Sequence, residues 1–173
     1  MQQVSVAVLS NGIHAIEQAS EEITHYVLNE LLPPGHALAL NSTLGTLALL
    51  MPDAQTPYPR LKAEQQFTAS ELSLLLPLLA SHPHYCPYEF LLASFAHRQV
   101  SEATVERCRT KLHEAQQEGV WDHVMRPVRN VLSRTRLKLH VFDLEICSIL
   151  ETGYCLMVLP ERRRAPAAPY TRL

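Results

Sequence analysis

The sequence predicts a mainly helical α+β fold with a small amount of strand. Three observations point there. The hydrophobic fraction is 47%, mostly Leu, Val and Ala, with only five Gly and 6% aromatics. That balance leans towards helix. Several windows repeat apolar residues at spacings of three and four. Near the C-terminus, two short apolar runs flank turn residues in the manner of a hairpin. The 173 residues allow one or two small domains. A TIM barrel or a full dinucleotide-binding enzyme needs more chain.

Residues 4–9 (VSVAVL) suit a short strand. Ser10 or Asn11 can cap the next element. Ile13, Ile16, Ser20, Ile23, Val27 and Leu31 then recur at helical spacing, with Glu17, Glu21, Glu22 and Glu30 mostly off that stripe. This predicts an acidic helix that stops at Pro33-Pro34-Gly35. Residues 37–51 read as two short strands around Asn41–Gly45, and 52–60, with three prolines, as a connector.

A second block begins near Leu61. Thr68-Ala69-Ser70-Glu71 has the pattern of a capping box. The helix after it runs to about Ser81, with Leu72, Leu75, Leu76 and Leu79 inward and a kink expected at Pro77. Pro87 at a first helical position opens a short helix, 87–95. Ser101 can cap a third helix to about Glu118, and Gly119 can stop it. Asp122 suits the cap of a short turn. Pro127 starts a further helix to Leu139. Residues 144–149 and 154–159 form the hairpin. Residues 161–173 make an Arg- and Pro-rich tail expected to be mobile.

Helix, short helix, basic helix and hairpin in that order are the plan of a winged helix-turn-helix. The basic helix carries the chemistry. Val128, Leu132, Thr135 and Leu139 lie on one stripe, and Arg129, Ser133 and Arg136 on another about 100° away. Arg126 and Asn130 flank that second stripe. Guanidinium and amide groups can each bond a base edge with two contacts, and hydroxyls and further arginines can hold phosphates. An ordinary solvated amphipathic helix would look much the same.

Residues 61–159 also resemble the DNA-binding effector domain of OmpR/PhoB-type response regulators. The matching segments are FTASEL (67–72) with leucines at 75 and 76, LLASHP (78–83), EFLL (89–92), VRNVLSRTRLKL (128–139) and EICSILETGYCL (145–156), which includes Gly153-Tyr154. The resemblance implies a β-hairpin wing and a recognition helix, 127–139, in the major groove of double-stranded DNA. Arg129, Ser133 and Arg136 take the base- and phosphate-facing positions, with Asn130 and Arg134 beside them. Arg126, Lys138 and the Arg162–Arg164 run add electrostatics. The pattern departs from the family at the hairpin, where Leu150 and Cys155 replace the usual arginines and Glu151 is acidic. The resemblance also implies a contact with RNA polymerase, but at 96–126 the pattern departs again, with an added helix where the family has the loop that makes that contact. No receiver domain is recognisable in residues 1–60, and control by phosphorylation is not expected.

Charge is unevenly spread. Residues 1–59 contain no Lys or Arg and five acids, while residues 126–173 hold eight Arg and one Lys against four acids. A polyanion would therefore meet the C-terminal third. The expected arrangement is an N-terminal extension over 1–60, a winged-helix domain over 61–160 and a tail. The acidic N-terminal stripe is free either to pack on that domain or to form a homodimer contact, and the homodimer is the preferred reading. His82-x-His84-x-Cys86 lacks a usual zinc spacing, so no metal or cofactor is expected. Cys147 and Cys155 can face each other on the hairpin. No nucleophile motif or phosphate loop is present, which disfavours an enzyme. The N-terminus lacks the marks of a signal peptide, and the longest apolar run is too short for a membrane span, so a cytoplasmic location is expected. The expected function is sequence-specific transcriptional regulation on DNA. A protein-interaction module on the same scaffold is the alternative.

Overall fold

The computed structural model describes the backbone of residues 6–9 and 13–17, and residues 23–160 in full. The chain is α+β, with two antiparallel sheets and four α-helices among the described residues. Six strands in sequence order form the first sheet: β1 (Val6–Leu9), β2 (Ile13–Glu17), β3 (Ile23–Val27), β4 (Ala37–Asn41), β5 (Thr46–Met51) and β6 (Arg60–Gln66). Then come α1 (Ala69–Ser81), β7 (Cys86–Pro87), α2 (Tyr88–Ala96), α3 (Glu102–Gln117) and α4 (Trp121–Leu139). One turn of 3₁₀ helix (His140–Phe142), β8 (Leu144–Ile149) and β9 (Gly153–Val158) complete the order. The second sheet has the order β7-β9-β8.

In the N-terminal region the strand expected over 4–9 forms as β1, but the reading of 13–31 fails. The predicted acidic helix over 13–31 is instead β2 and β3, which pair antiparallel with His14 opposite Val27 and Glu17 opposite Thr24. The proposed cap at Ser10 or Asn11 lies outside the described residues. The extension is thus all strand in its described elements, not helix plus strand, and the chain is less dominated by helix than expected. The physical reason lies in residue type. ITHYV (23–27) is β-branched and aromatic, residues that pack well on a pleated surface. Tyr26 is buried there beside β4. Pro33-Pro34-Gly35 stops nothing helical. It lies between strands, with His36 N–H donating to Pro33 O.

The two strands expected over 37–51 form as β4 and β5. Leu38 and Leu40 are buried on β4, and Leu47 and Leu49 on β5, while their neighbours are only half-buried. Leu38 stands opposite Leu49 and Leu40 opposite Leu47. This period-two pattern gives the sheet one inward face. The prolines of 52–60 end just where β6 begins. Phe67 N–H then donates to Gly45 O at 2.7 Å. Gly45 has φ +69°, and a Cβ there would stand 2.4 Å from Phe67 O, so the β4–β5 turn can dock on the end of β6 only with glycine.

The helices follow their capping signals. Thr68 Oγ1 accepts from Glu71 N–H, and Glu71 accepts from Thr68 N–H at 2.8 Å, which closes the capping box that starts α1. Leu72, Leu74, Leu75, Leu78 and Leu79 are buried, and Pro77 is buried with them. Leu76, expected inward, is exposed instead. It comes after two buried leucines on a 3.6-residue repeat and so turns away. Ser101 caps α3 as anticipated, with Thr104 returning the bond, and Gly119 at φ +72° lies just past its end. Pro87 is the cap of α2 rather than its first residue.

A further correction concerns α4. It is one helix from Trp121, not a turn and then a helix from Pro127. Pro127 sits in its interior on the exposed side. Water can reach the His123 carbonyl that loses its helical partner there. The β8–β9 hairpin matches expectation closely, and Cys147 faces Cys155 in the register. The Arg162–Arg164 run and the tail lie outside the described residues. The sheet, all four helices and the hairpin contribute to one continuous apolar core.

Candidate nucleic-acid interface

The rotation of α4 is fixed by its apolar stripe. Met125, Val128, Leu132, Thr135 and Leu139 recur at three and four residues and are each at most 2% exposed. Thr135 satisfies its hydroxyl by donating to Val131 O at 3.0 Å. The stripe packs on α1 and against β8, so the opposite side of α4 must face outward.

The outward side carries His123, Arg126, Pro127, Asn130, Ser133, Arg134 and Leu137. Arg126, Asn130 and Arg134 are spaced at i, i+4 and i+8. Their side chains make no hydrogen bond or ion pair among the described residues. At about 1.5 Å per residue they form a row roughly 12 Å long. Ser133 donates to Arg129 O at 2.9 Å, which leaves its oxygen lone pairs facing solvent.

The other predicted cations sit on the flanks and are engaged. Arg129 ion-pairs with Asp122 and stacks over the Trp121 ring, 5.2 Å from its centroid. Arg136 Nε donates to Ile146 O at 2.8 Å and lies 2.9 Å from Glu145 Oε1. Glu145 is almost fully buried and also meets His140 Nε2 at 3.1 Å. Arg136 therefore ties α4 to β8. Lys138 Nζ donates to Glu71 Oε2 at 2.7 Å and to Gln66 O at 3.0 Å, and it lies over the Phe67 ring. Burial alone would raise the Glu71 carboxyl. The Lys138 bond and charge, with the Thr68 N–H bond, outweigh that and hold it below its ordinary value.

The structure thus divides the predicted set. Arg126, Asn130, Ser133 and Arg134 share one outward surface. Arg129, Arg136 and Lys138 anchor the helix that presents it. The Asp122–Arg129 pair, two helical turns apart, was visible in the spacing. The Glu71–Lys138 pair joins distant segments and the Glu145–Arg136 pair joins a helix to a strand across a turn, so neither shows in a helical repeat.

The hairpin tip is apolar and acidic. Leu150 is 85% exposed, and Glu151 is exposed at φ +55°. From Leu144 to Val158 there is no Lys or Arg. Behind the tip, Tyr88 meets Trp121 and Tyr154 edge-on, at 5.1 and 5.6 Å between ring centroids. Its hydroxyl donates to Ile149 O at 3.2 Å. At the end of α1, His82 and Cys86 are buried and His84 is exposed. Burial pushes the Cys86 thiol up to about 11, so it behaves as a core side chain rather than a reactive thiolate. No helix among the described residues is long and apolar enough to cross a membrane. The chain matches no family model, no curated protein and no solved structure.

Proposed function

We propose that the chain is a sequence-specific, double-stranded DNA-binding regulator of transcription. On this reading 61–160 is a winged helix-turn-helix of the OmpR/PhoB type, α4 is the recognition helix, and the β8–β9 hairpin is the wing. The observation that carries the proposal is the unengaged row Arg126–Asn130–Arg134 on the outward face of a helix whose other sides are held. A helix about 10–12 Å across fits a major groove about 12 Å wide, and the row lies along its outward face. Asn130 supplies the bidentate amide that reads adenine, and Arg126 and Arg134 supply guanidinium groups for guanine edges or phosphates. Arg129, Arg136 and Lys138 become positioning residues, which differs from the roles the resemblance implies. The acidic hairpin tip adds no phosphate contact, so binding rests on α4.

The test is a selection of genomic DNA fragments on the purified protein, repeated with Arg126 and Arg134 both replaced by Ala. A single enriched motif that the double variant loses supports the proposal. A motif retained by the double variant moves the reading surface off this row. Affinity should also fall steeply with salt if several phosphates are contacted. The alternative, a protein-interaction module on the same scaffold, draws on Leu137 near the end of α4 and Val141 in the 3₁₀ turn that follows, both exposed. Absence of any enriched DNA at low salt favours that alternative.

A further inference from the structure

A cleft of about 300 Å³ opens between the N-terminus of α4 and the hairpin tip, lined by Tyr88, Gln116, Trp121, Leu150 and Glu151. Four elements meet there: the first residue of α2, the last turn of α3, the first residue of α4 and the β8–β9 turn. At roughly 30 Å³ per water, the space equals about ten waters, enough for a molecule with one ring and a short chain. This size lies at the lower end of ordinary small-molecule sites.

The lining specifies the chemistry of a ligand. Tyr88, Trp121 and Leu150 offer aromatic and aliphatic walls. The aromatic cluster already attracts one cation, since Arg129 stacks on Trp121. That charge is matched by Asp122. Two polar side chains at the cleft, the Gln116 amide and the Glu151 carboxylate, have no hydrogen-bond partner among the described residues. Glu151 is the charge left without an ion-pair partner there. An anionic ligand would be repelled by it, and a wholly apolar one would leave both polar groups unused. A cation beside aromatic rings and a carboxylate gains both a charge-assisted bond and attraction to the ring faces.

We propose that this cleft binds a small aromatic amine. The ring lies against Trp121, Tyr88 and Leu150. The ammonium meets Glu151 and the Gln116 carbonyl. Such a ligand joins the start of α4 to the hairpin turn. If α4 is the DNA-reading helix proposed above, ligand and DNA affect each other's affinity by the same factor.

Trp121 is the single tryptophan of the chain, so its emission reports the cleft directly. The experiment titrates the full chain with 2-phenylethylamine, and with 3-phenylpropanoate as its anionic counterpart. The same titrations are made on Glu151→Gln, a substitution at an exposed turn residue. A saturable change in Trp121 emission is expected with the amine alone, with binding about tenfold weaker in Glu151→Gln. The proposal is overturned if the amine gives no saturable change, if the acid binds as well, or if Glu151→Gln binds the amine unchanged. The titration contains no DNA, so its result is independent of the DNA-binding reading. Repeating it with the selected DNA bound tests the coupling. A shifted midpoint supports it, and an unchanged midpoint overturns it.

Discussion

Arg126 and Arg134 carry the same guanidinium group as Arg129 and Arg136 and sit on the same helix, yet they have opposite circumstances. The first pair faces outward without partners among the described residues. The second pair is drawn onto Asp122 and Trp121, and onto Glu145 and Ile146 O. The difference is angular. Measured round the helix from the middle of the buried stripe, Arg129 and Arg136 stand only about 60–80° away, whereas Arg126 and Arg134 stand about 140° away on either side. That offset brings them to the edge of the packed surface, where neighbouring elements can reach them. A basic residue on α4 is therefore free for a polyanion only when it lies across the helix from the stripe. Net charge along a segment says nothing about which of its cations are already engaged.

This contrast can be broken from either side. The largest expected effect is at Arg136. Arg136→Ala removes an ion-pair partner of a buried carboxylate, and breaking such pairs costs about 3 kcal/mol or more. Denaturant melting should show the loss, and a variant as stable as the parent would mean that Arg136 is not an anchor. Lys138→Ala comes next. It deprives the buried Glu71 of a charged donor, at a cost of about 2 kcal/mol. The same variant should change the acid limb of the stability curve. Because the Glu71 carboxyl is held below its ordinary value of 4.5, its contribution is complete above that pH. It disappears as pH falls through the lowered value. Melting curves on the acid side should be less steep in pH for Lys138→Ala than for the parent.

Arg126→Ala and Arg134→Ala should behave in the opposite way. Their stability should stay within about 0.5 kcal/mol of the parent, as for ordinary surface changes. On the DNA-binding reading each loses about 1.5 kcal/mol of specific affinity, roughly tenfold. Stability loss without affinity loss would exchange the roles of the two pairs. The smallest effect expected is at His82, whose imidazole is held below its usual 6.5 by burial at the end of α1. The unfolded chain binds that proton first. Stability should therefore dip as pH falls below about 6.5, and His82→Gln should remove the dip.

Legibility in the sequence depends on how local and how distinctive the signal is. The α1 and α3 starts are encoded within four residues, in Thr68-x-x-Glu71 and in Ser101, and both form where expected. The hairpin is local too, its strands pairing within 14 residues. β2 and β3 pair over the same range, with His14 opposite Val27. Ile13, Ile16, Ile23 and Val27 fit a helical repeat as well as they fit strands, and periodicity alone does not choose between the two. On α4 the stripe was legible, and Arg126, Asn130, Ser133 and Arg134 were all in the predicted set. Which of the seven polar residues stay free depended on Glu71 and Glu145, 67 and 9 residues away from Lys138 and Arg136. Pro127 misled because a helix interior can keep a proline wherever the lost bond faces water.

The junction at Phe67 has a consequence for how this chain could be divided or transplanted. β6 closes the sheet, Phe67 then binds Gly45, and the next residue caps α1. Sheet and helices therefore share a seam with no slack in it. The largely exposed loop at 53–59 lies within the sheet rather than between sheet and helices, so a protease cutting there would separate β5 from the strand that covers its edge. The helical half should not survive grafting behind a different leader unless β3 to β6 travel with it.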